Sequence, residues 1–227
     1  YQKEGLGWLH FLRDFGLGGC LADDMGLGKT VQVLALLEAR RLRRLKKGEE
    51  RRPSLVIVPK SLIFNWIDEA ARFAPKLRIH NFTGVERELP EPSEYDVLLT
   101  TYATMRIEIL QLSKLRFDYA ILDEATAIKN GTALAAKASR LLVADHRLAM
   151  TGTPVENHLG ELWSLFEFLN PGMLGASAAF QAFSRKSAGE NGSIEMLAHA
   201  LRPYLLRRTK EQVLTELPEK MEQTIHC

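Results

Sequence analysis

Asp23-Asp24-Met25-Gly26-Leu27-Gly28-Lys29-Thr30 decides the fold of this chain. It follows a short apolar run, Gly19-Cys20-Leu21-Ala22, and opens a helical pattern that places Val31, Leu34, Ala35, Leu42 and Leu45 on one face. Strand, glycine-rich turn and helix are the context in which Gly-Lys-Thr holds phosphate. The glycines let the backbone curl until its N–H groups converge on an anion, and the helix N-terminus adds partial positive charge. Lys29 would then reach the β- and γ-phosphates of a nucleotide, and the Thr30 hydroxyl would ligate Mg²⁺. The stretch departs from G-x-x-x-x-G-K-[ST] at one place, carrying Asp23 where the pattern has glycine. A chance Gly-Lys-Thr in a β–α turn is the plainer alternative, and the flanking pattern argues against it.

With 227 residues, 46% of them hydrophobic, the chain can fill the core of one large domain. A net charge of +2 excludes no class of partner, so only local clustering bears on that question. Neither cysteine, Cys20 or Cys227, has metal-ligand spacing, and Cys20 reads as a buried core thiol. The histidines are likewise scattered. No signal-peptide pattern or membrane-length apolar run occurs. The expected setting is therefore cytoplasmic and nucleoid-associated in a prokaryote, or nuclear in a eukaryote. The chain opens Tyr1-Gln2 within a helical pattern and without methionine, and so reads as a domain cut from a longer protein.

Gln2 to Phe15 reads as an amphipathic helix with Leu6, Trp8, Leu9, Phe11, Leu12 and Phe15 apolar. Apolar runs at Ser54 to Val58, Leu77 to Phe82, Asp96 to Thr100, Tyr119 to Asp123 and Arg147 to Thr151 alternate with helical patterns. Two of those patterns are Ile63-Trp66-Ile67-Ala70 and Ala133 to Val143. Such alternation predicts an α/β fold: a central, mainly parallel sheet with helices on both faces and functional residues at the carboxyl ends of strands. After Gly160 the pattern changes. A stripe of Leu162, Trp163, Leu165, Phe166 and Leu169 precedes short helices from Ala178 to Thr215, with no strand signal. Trp8, Trp66 and Trp163 all read as core.

A phosphate-binding loop needs an acid on a neighbouring strand for Mg²⁺ and a group to orient water. Ile121-Leu122-Asp123-Glu124-Ala125-Thr126 supplies Asp123 for the metal and Glu124 to orient and deprotonate the water. Further stretches follow in order: Val56-Ile57-Val58-Pro59-Lys60-Ser61-Leu62 with Asn65-Trp66, Thr100-Thr101-Tyr102, and Ile128-Lys129-Asn130. Thr151-Gly152-Thr153-Pro154-Val155-Glu156-Asn157, Leu206-Arg207-Arg208-Thr209-Lys210 and Leu217-Pro218-Glu219-Lys220 complete the set.

Taken together, these stretches resemble the first RecA-like P-loop ATPase lobe of the Swi/Snf-like double-stranded DNA translocases, within superfamily two of the helicases. The resemblance covers nearly the whole chain and implies ATP and Mg²⁺ as cofactors. It makes Gln2 the adenine contact and Asp23, Asp24, Met25, Gly26, Leu27, Gly28, Lys29 and Thr30 the phosphate-side residues. The acid at Asp23 is usual in that family. Lys29, Asp123 and Glu124 would carry the chemistry, with Thr30 and Asp123 on the metal. Thr126, Thr151, Gly152 and Thr153 would couple nucleotide state to grip on nucleic acid. Members usually carry His or Gln where this chain has Thr126, so altered coupling is expected.

The resemblance also implies double-stranded DNA and a second RecA-like lobe as partners, the latter supplying an arginine finger. The fragment alone is expected to bind nucleotide weakly and turn it over poorly. DNA backbone contacts would come from Lys60, Ser61, Thr101, Lys129 and Asn130, with ordinary N-capping the plainer reading of Ser61 and Thr101. The eight basic residues between Arg40 and Arg52 read as a duplex-facing patch or, more simply, as a solvated helix end. Arg207 and Arg208 look structural or linker-related. The expected division is an ATP-binding lobe over 1–159, a helical protrusion over 160–217 and the start of a linker over 218–227. A strand-separating DNA or RNA helicase and a nucleotide-gated binding module without turnover remain open alternatives.

Overall fold

A computed structural model of the chain describes residues 1–152, 159–187 and 191–213. Among the described residues seven strands form one sheet: β1 (Gly19–Leu21), β2 (Ser54–Val58), β3 (Ile79–Asn81), β4 (Val97–Thr101), β5 (Arg116–Leu122), β6 (Val143–Met150) and β7 (Leu205–Leu206). Their order across the sheet is β3-β4-β2-β5-β6-β1-β7, and every pairing is parallel. The alternation seen in the sequence therefore does produce a parallel sheet, whose carboxyl edge gathers the loops after β1, β2, β4, β5 and β6.

Helices cover both faces. On one lie α1 (Gln2–Asp14), α2 (Lys29–Lys47) and α3 (Ile63–Phe73); on the other lie α4 (Tyr102–Ile107), α5 (Ile109–Leu112), α6 (Leu134–Leu141) and α7 (Leu159–Leu169). Side chains of a strand alternate between faces, so β2 sends Val56 and Val58 to the first core and Leu55 and Ile57 to the second. Beyond the sheet, α8 (Ser177–Ser187) packs on α7, α9 (Asn191–Leu201) packs on α8, and α10 (Lys210–Val213) follows β7. Cys20 is fully buried, and burial pushes its thiol up to about 12, as befits a core residue.

The structure corrects several sequence expectations. The buried face of α2 is Gln32, Val33, Leu34, Leu36 and Leu37, whereas Ala35, Leu42 and Leu45 are exposed. The reason is that α2 is covered only over its first half, and no residue beyond Leu37 is buried. Phe11 and Phe15 are also exposed and lean on each other. The helix expected over Ala133 to Val143 stops at Leu141, and β6 begins at Val143, because Val143 and Ala144 pair with Arg116 and Phe117 of β5. The expected absence of strand after Ala178 is also wrong. Two residues of β7 extend the sheet at β1, a strand too short to leave an alternation pattern.

The Arg40–Arg52 run divides: Arg43, Lys46 and Lys47 are exposed on the end of α2, the solvated helix end of the plainer reading, while the other five basic residues reach carboxylates. Arg40 forks onto the buried Asp118 at 2.9 and 2.6 Å, and Arg44 reaches the same carboxylate at 2.7 Å. Arg41 pairs with Glu38, Arg51 with Asp96, and Arg52 with Asp145. The run thus fastens the end of α2 to the amino-terminal side of the sheet, away from the carboxyl edge.

Candidate nucleotide and nucleic-acid site

The loop between β1 and α2 turns through Gly26 (φ 86°) and Gly28 (φ 71°), left-handed conformations in which a β-carbon would be strained. Lys29 opens α2, and its Nζ donates to the backbone carbonyls of Asp23 (2.7 Å) and Asp24 (3.3 Å). A lysine held only by neutral carbonyls in a glycine-formed concavity suits a polyanion. Thr30 follows in the first turn of α2. Gln2 lies against the loop, with its amide nitrogen 2.6 Å from where a β-carbon on Gly28 would stand. Met25 is exposed at the loop's crest, and Leu27 is buried beneath it.

The two loop acids turn elsewhere. Asp23 is fully buried, and its carboxylate accepts from the Arg208 backbone N–H (3.0 Å), Arg208 Nε (3.0 Å) and Gln32 Nε2 (3.4 Å). Asp24 Oδ2 accepts from the Lys210 backbone N–H at 3.0 Å. Their share in a phosphate site would therefore come from the backbone.

The second acidic pair stands at the end of β5, two strands away from β1. Asp123 is 5% exposed, its Oδ2 accepting from Trp66 Nε1 at 2.8 Å and its Oδ1 from the Glu124 N–H at 2.9 Å. Burial pushes its carboxyl above the usual range, opposed by these two hydrogen bonds and by Lys29, while the Glu124 charge adds to the rise. Tyr102, from α4, donates its hydroxyl to the Asp123 carbonyl at 2.8 Å. Sequence reasoning counted Trp66 and Tyr102 within stretches that carry the resemblance, read Trp66 as core and gave neither a role beside Asp123. Their positions in α3 and α4, directly after the β2 and β4 ends, were the available signal.

Glu124 takes φ 48° and ψ 58°, the one non-glycine residue in the left-handed region among those described. Such a conformation is held only where the surroundings enforce it, and it clusters at functional positions. Here it aims the carboxylate at the end of β6. A β-carbon on Gly152 would lie 3.8 Å from Glu124 Oε1 and 2.8 Å from Met25 Cγ. Three loops, from β1, β5 and β6, thus converge around one point. Thr126 and Thr151 line a small shared cavity with Lys129 and Glu161, while the Thr126 hydroxyl donates to the Glu124 carbonyl at 3.3 Å. Thr153, the Pro154–Asn157 stretch and Leu217–Lys220 lie outside the described residues, as does the 218–227 segment.

The other predicted contacts spread along the same edge. Lys60 and Ser61 are exposed in a short 3-10 turn after β2. Thr101 is mostly buried and caps α4, its Oγ1 accepting from the Thr104 N–H at 3.1 Å; Ser61 makes no side-chain cap. Lys129 pairs with Glu161 at 3.1 Å. Asn130 closes a turn by accepting from Thr132. Both rim a cleft of about 560 Å³ that includes Lys137, Arg140 and Trp163.

Among the described residues no cluster of three or more His, Cys, Asp or Glu is placed to hold a metal ion. The single carboxylate of Asp123, close enough to Lys29 to feel its charge, fits a hard ion that takes most of its ligands from phosphate and water, as Mg²⁺ does. No helix among the described residues is long and apolar enough to cross a membrane.

Comparison with known proteins agrees with this geometry. A family model described as the SNF2-related domain matches residues 1–227. The TATA-binding protein-associated factor MOT1 of Saccharomyces cerevisiae is 38% identical over 252 residues, spanning all of this chain and 14% of that protein. The putative ATP-dependent helicase/translocase YwqA of Bacillus subtilis is 40% identical over 235 residues, spanning 98% of this chain and 25% of that protein. Among solved structures, the Sulfolobus solfataricus SWI2/SNF2 ATPase core in complex with dsDNA superposes with a TM-score of 0.85 at 40% identity, over 96% of this chain and 46% of that one. The chain therefore spans a quarter or less of these two relatives and under half of the solved core.

Proposed function

The chain belongs to the SNF2-related family, and from that premise we propose that it is the nucleotide-binding lobe of an ATP-driven double-stranded DNA translocase. The observation that carries the proposal is the meeting of Lys29, Asp123, Glu124 and Gly152 at the ends of β1, β5 and β6. Lys29, freed from the two carbonyls, holds the β- and γ-phosphates against the loop N–H groups, and Gln2 stands where adenine would be read. Mg²⁺, when bound, neutralises charge on the phosphate oxygens. Thr30 and Asp123 would hold it. Glu124, fixed in its left-handed turn, orients water toward the γ-phosphate and takes its proton.

Lys60, Ser61 and Thr101 on the β2 and β4 side, with Lys129 and Asn130 near β5, form the proposed track for DNA phosphates. Such contacts grip without reading sequence. The solved SWI2/SNF2 core in complex with dsDNA supports this choice of partner, and a second RecA-like lobe of the same parent chain is part of the same proposal. In this reading residues 1–159 make the ATP-binding lobe, 160–217 a helical protrusion and 218–227 the start of the linker.

The test is ATP turnover by the full-length protein with duplex DNA, single-stranded DNA or RNA added separately. Duplex stimulation that vanishes in Lys29→Ala and Glu124→Gln, with Glu124→Gln still binding ATP, is the expected result. Stimulation by single strands or RNA alone would make the protein a strand-directed helicase instead, and absence of turnover would make it a binding module.

A further inference from the structure

The acid at Asp23 replaces a glycine of the general phosphate-loop pattern, and the structure shows what it holds. Its buried carboxylate takes a two-pronged hydrogen bond from Arg208, 185 residues later in the chain, through Nε and Nη2. Backbone bonds sew the same two segments together: Ala22 N–H to the Leu206 carbonyl (2.7 Å), Asp24 N–H to the Arg208 carbonyl (3.0 Å) and Arg208 N–H to Asp23 Oδ1 (3.0 Å). The Lys210 N–H to Asp24 Oδ2 completes the seam. The second prong of Arg208 also reaches Gln32 Oε1 in α2 at 2.9 Å. Its other terminal nitrogen donates to the Tyr1 carbonyl, and the guanidinium carbon lies over the Tyr1 ring, 5.3 Å from its centroid. Gly5 of α1 leaves the space for this: a β-carbon there would collide with Gln32 Oε1 and lie 2.9 Å from Arg208 Nη2.

One arginine thus touches the segment before Gln2, the loop between β1 and α2 and the first turns of α2, and it stands two residues past β7, where the chain leaves the sheet. We propose that Arg208 is a positioning residue for the nucleotide site, and that the Asp23–Arg208 pair couples phosphate-loop geometry to the exit segment Leu205–Lys210. The proposal rests on the nucleotide-site reading above. A bidentate guanidinium–carboxylate pair fixes orientation as well as distance, which a lysine cannot reproduce. Coupling of this kind is reciprocal: if the exit segment orders the loop, nucleotide must order the exit segment.

The experiment uses the full-length protein with Arg208→Lys, Arg208→Gln, Asp23→Asn and the Arg208→Gln/Asp23→Asn double variant. Mg-ADP affinity, ATP KM and kcat, melting temperature and amide exchange of residues 205–210 are measured in each. The expected result is a rise of about 10-fold in nucleotide Kd and KM with kcat changed less than about 3-fold, in variants that melt cooperatively. The double variant should be no worse than the worse single, because residues acting as one unit are not additive. Mg-ADP should slow exchange of 205–210 in the wild type and lose that effect in Arg208→Lys. Unchanged affinity in folded single variants, additive losses, or exchange that responds to ADP equally in Arg208→Lys would each overturn the proposal. Should Arg208→Gln fail to fold, Arg208→Lys and Asp23→Asn still decide it. A wild type that binds Mg-ADP without turnover would sink the motor reading alone, leaving the affinity and exchange measurements to judge this one.

Discussion

Trp66 and Asp123 lie 57 residues apart and meet through a single buried hydrogen bond, Nε1 to Oδ2 at 2.8 Å. The tryptophan belongs to the helix that follows the exposed Lys60-Ser61 turn, and the aspartate is the proposed metal ligand. One rigid side chain therefore ties the helix that follows the proposed DNA track to the proposed ATP chemistry. Partners that orient a metal ligand typically carry 10- to 100-fold of function.

Trp66→Phe keeps most of the buried ring and removes the donor. Duplex-stimulated kcat should fall about 10-fold. Because the bond favours the charged carboxylate, its loss should move the acid limb of the pH–rate profile to higher pH. A profile that keeps its acid limb would refute the link.

Asp123→Asn should remove activity together with one pH dependence of stability. Burial raises the folded-state carboxyl above its unfolded value, so the folded protein binds more protons there across that window. Stability is consequently lost as pH rises through the window, and the loss persists at neutral pH. Asn carries no charge, but its one acceptor oxygen cannot take both the Trp66 Nε1–H and the Glu124 N–H. Turnover should vanish, and the variant's melting temperature relative to the wild type's should increase as pH rises through the carboxylate range. A difference between the two that stays flat or falls with pH would contradict the sign.

Asp118→Ala should be costly and local. It strands Arg40 and Arg44 beside the sheet with their shared partner gone. Breaking a buried pair in this way costs about 3–5 kcal/mol, readable by denaturant unfolding. The salt dependence of DNA binding should stay unchanged in Arg44→Ala, whereas Lys60→Ala should reduce its slope by about 1. A slope reduced by Arg44→Ala would restore the basic run as a DNA surface.

Gly152→Ala places a β-carbon 2.8 Å from Met25 Cγ, between the loops after β1 and β6. Met25 is exposed and can swing aside, so melting should change little. Turnover should fall more than ATP affinity, since the added methyl lies 3.8 Å from Glu124 Oε1. Equal losses in both, measured by steady-state kinetics and equilibrium binding, would place Gly152 in the cradle itself.

Much of the site was legible because its parts are local. The Gly26–Thr30 turn, the Asp123-Glu124 pair and the Thr151-Gly152 ending each sit where an apolar run stops, and the parallel sheet brings those stops to one edge. Less legible were contacts whose partners share no neighbourhood in the chain. Arg40, Arg44 and Asp118 look like separate surface charges until β5 is placed beside β2, and Trp66 looks like filler until Asp123 lies beneath it. The two-residue β7 was invisible because a pattern needs more residues than it has.

The order of apolar runs and helical patterns by itself determined the parallel α/β architecture, the glycine turn after β1 and the acid pair that ends β5, since periodicity and turn chemistry act over a few residues. Tertiary structure alone decided which way the side chains of that loop face. Asp23 turns inward because Arg208, delivered by a strand 185 residues away, compensates a carboxylate that burial would otherwise penalise. That compensation depends on distance in space, which no spacing along the chain records.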